Sequence, residues 1–271
     1  MNDMQSKLLE MMEWFHCFCM KHDIKYYALG GTALGAVRHN GFIPWDDDID
    51  VGMPRSEYNR LIALMKTENN SNKYLLETPL ENRDFVYPIS KLYDTTTTLI
   101  ENTRYKTKRG IFIDIFPLDG IGNTYEESLV NFKQIEKKLD FVRTRVCAIN
   151  TKRAFYKNFA IILGRCIPKF ISDWQKTMQQ AQDLCEERAY ADYEYIVNSA
   201  GAWREKEIIK KEYFGQPVLC KFESLDIYIP ENADKYLTCL YGNYMQLPPK
   251  EKQVTHHDYL YLDLEKGYME N

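Results

Sequence analysis

No apolar run in the 271 residues approaches the ~20 needed to span a bilayer, and the opening decapeptide MNDMQSKLLE has acids where an export signal has bases ahead of an apolar stretch. A bilayer-crossing helix and an export signal are therefore not expected, and the chain reads as cytoplasmic. The cysteines, Cys17, Cys19, Cys147, Cys166, Cys185, Cys220 and Cys239, are odd in number and scattered. Without a CxxC pair they suit neither zinc nor redox work and read as reduced thiols. There is no basic excess either: 35 Lys and Arg stand against 39 Asp and Glu, a net charge of -4, so nothing marks a nucleic-acid binder. A charged fraction of 27% beside 45% apolar residues is not the composition of a disordered chain. No internal repeat and no low-complexity tract occurs.

What is present is enough apolar material for a large core, distributed as an α+β pattern. Leu8, Met12, Phe15 and Cys19 recur at spacings of three and four, which predicts an amphipathic helix over 3–22. The apolar, aromatic run 24–29 predicts a strand that enters the Gly30-Gly31-Thr32 turn and then a helix through Val37. Gly41 and Pro44 break that helix, and a strand over 48–53 follows. Residues 54–65 read as a helix capped by Ser56, and further strands are expected at 73–78, 85–93, 96–101 and 110–116. From Tyr125 to Tyr190 the pattern is mostly helical, with a break near Pro168, and the remainder is mixed. This divides the chain into a mixed-sheet catalytic core over 1–122 and a mainly helical part over 123–271 that completes the site, the two forming one integrated domain.

The chemistry concentrates in acids. Asp46, Asp47, Asp48 and Asp50 fill four of five positions. Side chains at i and i+2 of a strand share a face, so Asp48 and Asp50 would stand side by side while Ile49 and Val51 enter the core. Two adjacent anions repel unless a hard cation lies between them, and magnesium takes one or two carboxylates plus phosphates and water. In the run 110–116, GIFIDIF, one acid, Asp114, is set among large apolar residues. Burying it is costly unless it meets a cation, a donor or the reaction centre. Asp114 is the candidate general base and third ligand beside Asp48 and Asp50. An EF-hand would use Asp46, Asp48, Asp50 and Glu57, but Val51 occupies the position that requires glycine and Pro54 lies within the loop.

The stretch 28–58, ALGGTALGAVRHNGFIPWDDDIDVGMPRSEY, closely resembles the signature of the LicD family of phosphocholine transferases, whose relatives include fukutin and fukutin-related protein. YPISKLYD at 87–94, GIFIDIFPLDG at 110–120 and YGNYMQLPPKEKQVTHH at 241–257 extend the likeness in the same order over most of the chain. The resemblance implies a nucleotidyltransferase-type fold, with Gly30 and Gly31 holding phosphates, Asp48 and Asp50 binding Mg²⁺ (or Mn²⁺), and Asp114 as the third carboxylate. It also implies a CDP-linked donor, CDP-choline as the first choice, and a glycan or lipid-linked glycan acceptor such as lipopolysaccharide or teichoic acid. Another CDP-alcohol or a CMP-phosphonate donor, nucleotidyl transfer proper, and an inactive glycan-binding relative stay open as alternatives.

Around these acids, Gly31 and Thr32 are candidate phosphate donors at a helix N-terminus, with Arg38 as a clamp on the same charge. Lys91 offers either a second positive charge at the site or an edge-strand lysine that reaches solvent. His256 and His257 are candidate donor contacts or a surface pair. Trp45 is the aromatic nearest the acids, a candidate wall for a quaternary ammonium or a ring packed on the glycine turn. Finally, no acid lies between Asp140 and Asp173, where Arg143, Arg145, Lys152, Arg153, Lys157, Arg165 and Lys169 occur with Phe155, Phe159, Ile161, Ile162 and Leu163. This basic segment, 143–169, is either an interfacial helix meeting a membrane or an anionic acceptor, or a core helix with a solvated basic face.

Overall fold

The structure is a computed structural model and describes residues 1–69, 71–149, 155–166, 173–255 and 259–269. Helix α1 (Asp3–Lys21) opens the chain on a capping box, in which the Asn2 side chain accepts from Gln5 N–H and the Gln5 side chain returns to Asn2 N–H. It buries Leu8, Met11, Met12 and Phe15. After β1 (Tyr27–Ala28) come α2 (Gly30–His39), β2 (Asp50–Pro54), α3 (Arg55–Glu68), β3 (Tyr74–Glu77) and β4 (Ser90–Asp94). Strands β5 (Thr98–Glu101), β6 (Lys108–Arg109) and the long β7 (Phe112–Gly122) complete the first half. Helices α4 (Tyr125–Val146), α5 (Phe155–Cys166) and α6 (Trp174–Glu186) follow, and then β8 (Tyr195–Val197), β9 (Ile208–Lys210), the hairpin β10 (Val218–Phe222) and β11 (Leu225–Ile229), α7 (Ala233–Tyr241) and β12 (Tyr259–Asp263).

The central sheet has the order β1-β2-β7-β4-β3, mixed in direction, with β2 parallel to β7 and the other pairs antiparallel. Strand β7 is shared: Phe112–Leu118 pairs with β2 and β4, while Asp119–Gly122 pairs with β8, which carries β9. The helices α1, α3, α4 and α6 pack on it. One large apolar cluster surrounds the sheet, and a second joins Ile121 to Phe132, Ile135 and Leu139 of α4 and Met178 of α6. Where the two meet, Arg55 grips Asp119 through two hydrogen bonds, Nε to Oδ1 at 2.8 Å and Nη2 to Oδ2 at 2.6 Å, both groups buried. The fold is thus the mixed α+β sheet with flanking helices that the sequence pattern implies.

Several local expectations shift. The strand foreseen over 24–29 is only two residues long, because 24–26 lead into it as irregular chain. Helix α3 starts after Pro54 with no side-chain cap, so Ser56 does not cap it. Strand β7 continues to Gly122 because Pro117 lies where the ladder passes from β4 to β8. The helix break near Pro168 lies outside the described residues. Among the described residues no helix is long and apolar enough to cross a membrane. Helix α5 presents Phe155, Tyr156, Phe159, Ile162 and Leu163 to solvent, Phe155 at 85% and Tyr156 at 69% exposure, while Ile161 is buried.

Candidate active site

The register of β2 on β7 sets Asp50 opposite Asp114. The Asp114 N–H donates to Ile49 O at 2.9 Å, the Asp50 N–H donates to Thr32 Oγ1 at 2.9 Å, and Asp50 O accepts from Leu29 N–H at 2.9 Å. Asp50 is therefore fixed by its own strand, by β7 and by α2. Asp48 precedes the strand, which begins at Asp50, so the loop and not the pleat delivers it. Asp46, Asp48, Asp50 and Asp114 nevertheless line one cavity of about 850 Å³.

Glycine is required at the turn above these acids. Gly30 has φ +48°, a region that L side chains seldom enter, and a Cβ on it would stand 3.4 Å from Asp50 Oδ2. A Cβ on Gly31 would come within 2.5 Å of Asp46 Oδ2. The Gly30 N–H donates to the Tyr236 hydroxyl at 3.0 Å, which ties the head of α2 to α7. Both glycines line the cavity at the N-terminus of α2, where the helix dipole favours an anion. Arg38, in the last turn of α2, also lines it, with Nη1 donating to Tyr244 O at 2.6 Å and Nε to His39 Nε2 at 3.0 Å. Thr32 is absent from the cavity wall: it is 4% exposed, and its hydroxyl accepts from the Asp50 backbone N–H. Trp45 is on the wall, edge-to-face with His39 at 6.4 Å.

Lys91 is not an edge lysine reaching solvent. Strand β4 lies between β7 and β3, and the residue is 2% exposed. It faces Asp114 across the β4–β7 ladder, with Nζ 2.9 Å from Asp114 Oδ1, 3.5 Å from Glu101 Oε1 and 3.2 Å from the Phe112 ring centroid. Burial pulls its pKa down, but Asp114 and then Glu101 raise it, and it stands above the ordinary lysine value. Lys91 thus lies behind Asp114, off the cavity wall. His256 and His257 lie outside the described residues.

The electrostatics show a surplus of negative charge. Burial, then Asp48, Asp114 and Asp46, hold the Asp50 carboxyl well above its usual range, with only Lys91 opposing. Burial likewise pushes Asp114 up to about 6 against the pull of Lys91, with Glu101 and Asp48 adding to the rise. An all-carboxylate oxygen set of this kind suits a hard divalent cation. Among the described residues no three His, Cys, Asp or Glu side chains form a ready-made metal cage. Magnesium does not require one, since it ordinarily takes one or two carboxylates and completes its shell with phosphate oxygens and water.

The opposite wall comes from the C-terminal half. Asn198, Trp203, Glu207, Tyr236, Tyr241 and Lys252 all line the cavity. The segment 241–257 was legible in the sequence as a motif. Glu207 was not, since one acid among the charges of REKE carries no periodic signal.

Paired acids facing a glycine-turned helix N-terminus across one cavity, with an arginine on its wall, make this an enzyme that handles phosphate-bearing groups. Comparison with known proteins agrees. Residues 23–150 match the family described as LicD/FKTN/FKRP, nucleotidyltransferase domain. Over 261 residues, 95% of this chain and 96% of the other, the sequence is 30% identical to the lipopolysaccharide cholinephosphotransferase LicD of Haemophilus influenzae. A stretch of 46 residues, 17% of each chain, is 50% identical to the uncharacterized protein RP689 of Rickettsia prowazekii. The chain belongs to the LicD/FKTN/FKRP family.

Proposed function

We propose that this enzyme transfers phosphocholine from CDP-choline to a hydroxyl of a lipopolysaccharide-type glycan in a magnesium-dependent reaction. The observation that carries the reading is Asp50 opposite Asp114 on a cavity headed by Gly30 and Gly31, in a chain alignable end to end with a cholinephosphotransferase. Asp48, Asp50 and Asp114 would hold Mg²⁺, with Mn²⁺ as a substitute, which when bound offsets phosphate charge. The N-terminus of α2 and Arg38 bind the diphosphate. Asp114, on the cavity wall and paired with Lys91, takes the proton of the attacking hydroxyl as the general base. The new bond joins that oxygen to the choline-bearing phosphorus, the bond to the bridging oxygen breaks, and CMP leaves. Thr32 and Lys91 position Asp50 and Asp114. The test is CMP release and phosphocholine incorporation by the purified chain with CDP-choline, Mg²⁺ and a glycan acceptor. Asp50→Asn should lower turnover by at least about 100-fold, and turnover near the wild-type value in that variant overturns the assignment.

The acceptor's lipid environment is reached through α5. Its five exposed apolar side chains recur at i, i+4, i+7 and i+1, i+8, the stripe of an interfacial helix. Arg165 lies on it and Arg104 and Arg145 lie beside it, Arg104 donating to Arg145 O and Arg165 to Cys147 O. An anionic bilayer matches both features. Flotation with phosphatidylglycerol vesicles should recover the chain, and Phe155→Ser with Phe159→Ser should abolish recovery. No flotation of the wild type at low salt refutes the contact.

A further inference from the structure

Glu207 is a buried acid on the cavity wall that the chemistry above leaves unused. It is 5% exposed, lines the same cavity as the aspartates, and has no ion-pair partner among the described residues. Its Oε1 accepts a long hydrogen bond, 3.3 Å, from the Trp203 N–H. Burial pushes the carboxyl up to about 7, opposed only by that hydrogen bond. In a cavity shaped for a diphosphate, one more buried acid repels the ligand unless the ligand also carries a positive charge.

Two aromatic side chains, Tyr241 and Trp203, share the cavity wall with Glu207 and the aspartates. The Tyr241 hydroxyl approaches the Gly30 position, 3.7 Å from where a Cβ would stand, beside Asp50 Oδ2. The Tyr241 ring meets Trp203 edge-to-face at 5.0 Å, and Trp203 is joined to Glu207 through its backbone N–H. Trp203 remains 41% exposed on the cavity wall. Its ring already attracts one cation, Lys206 Nζ at 5.4 Å from the centroid, which is tethered to Leu240 O. A path of contacts thus runs from Asp50 over Gly30, along Tyr241 and Trp203, to a buried carboxylate.

We propose that Trp203, Tyr241 and Glu207 form the subsite for the transferred headgroup, and that this subsite takes a quaternary ammonium. The inference rests on the transferase reading above and adds to it which residues select the headgroup. In a phosphocholine donor the cation lies four bonds from the phosphorus, on the side away from the nucleotide, and Trp203, Tyr241 and Glu207 are the rings and the buried acid that share the cavity wall with the aspartates. Trimethylammonium has no N–H to satisfy, so ring faces and one carboxylate suffice. A primary ammonium would leave donors unpaired there, and a polyol would find few acceptors for its hydroxyls.

The test compares binding of CDP, CDP-choline and the uncharged carbon isostere CDP-3,3-dimethylbutanol to the whole chain in Mg²⁺ by calorimetry, with CMP release followed in parallel. Wild type should prefer CDP-choline over the isostere by about tenfold or more. Glu207→Gln should lose that preference while binding CDP as wild type does, and unaltered CDP affinity also shows that the variant is folded. Trp203→Leu should weaken CDP-choline and spare CDP, so the proposal remains testable if the glutamine variant fails to fold. Retention of the wild-type preference in either variant overturns the subsite. A wild type that releases CMP from CDP-choline but does not distinguish it from the isostere likewise overturns the subsite and leaves the transferase reading intact. A wild type that releases CMP from no CDP-alcohol in the presence of acceptor overturns the transferase reading itself, and the subsite with it.

Discussion

Glutamate 207 makes a thermodynamic prediction that does not depend on any ligand. Its carboxyl stands at about 7 in the folded chain against an ordinary value of 4.5, because burial disfavours the charged form. Below pH 4.5 the group is protonated whether the chain is folded or not, and it costs nothing. As the pH rises from 4.5 to about 7 the unfolded chain releases the proton while the folded chain retains it, so stability falls; above about 7 the loss is complete. At about 1.4 kcal/mol per pH unit the displacement is worth about 3 kcal/mol, of which about 2.5 kcal/mol develops between pH 5 and pH 8. Glu207→Gln has no proton to lose at this position. The stability of the variant relative to wild type should therefore rise by about 2.5 kcal/mol between pH 5 and pH 8, read from urea unfolding followed by tryptophan fluorescence at the two pH values. A relative stability that does not change between them refutes the assignment of a strained, buried carboxyl.

Three further outcomes follow from contacts already described. Asp119→Asn deprives the buried Arg55 of its two-point charged partner, leaving the half-exposed Glu186 at 3.6 Å, and should cost about 3 kcal/mol, whereas Arg55→Met with Asp119→Leu should recover most of that; a double variant as weak as the summed singles would contradict the buried-pair account. Lys91→Met leaves Asp114 and Glu101 without their shared cation and should cost a similar amount in urea unfolding, so a loss under about 1 kcal/mol would show that the contact is incidental. Gly31→Ala sets a methyl against Asp46 Oδ2 and should lower CMP release by about tenfold or more with little change in melting temperature; unchanged turnover would remove the close approach from the argument.

How far the sequence foretold this arrangement depended on whether an element is specified locally. Helix α1 could be read to within a residue because its apolar spacing acts inside the segment. The two strands that supply Asp50 and Asp114 were visible, one as acids alternating with apolar residues and the other as an apolar run, and their mutual register followed from neither. Asp48 was assigned to the pleat, yet β2 starts two residues later, because the ladder with β7 begins where Asp114 can pair. Lys91 had two readings in the sequence, and only its place on an interior strand, under Phe112 and against two acids, decides between them. Thr32 has the residue type of a phosphate donor, but its side chain is buried beside β2, where the hydroxyl accepts from the Asp50 N–H. Glu207 and Trp203 are polar and aromatic residues in an irregular segment, and their meaning arises from α7 folding back over α2, a long-range event with no local signature.

The sharing of β7 by two sets of neighbours bears on how this enzyme can be recombined. A splice near residue 122 looks natural from the sequence, at the junction of sheet and helices. It would separate Asp119 from β8, and Gly30 from the tyrosine that holds its amide. Chimaeras between relatives should therefore fail when joined there and succeed when the whole span from Gly30 to Tyr241 comes from one parent, the unit of inheritance being the cavity and not the half-chain.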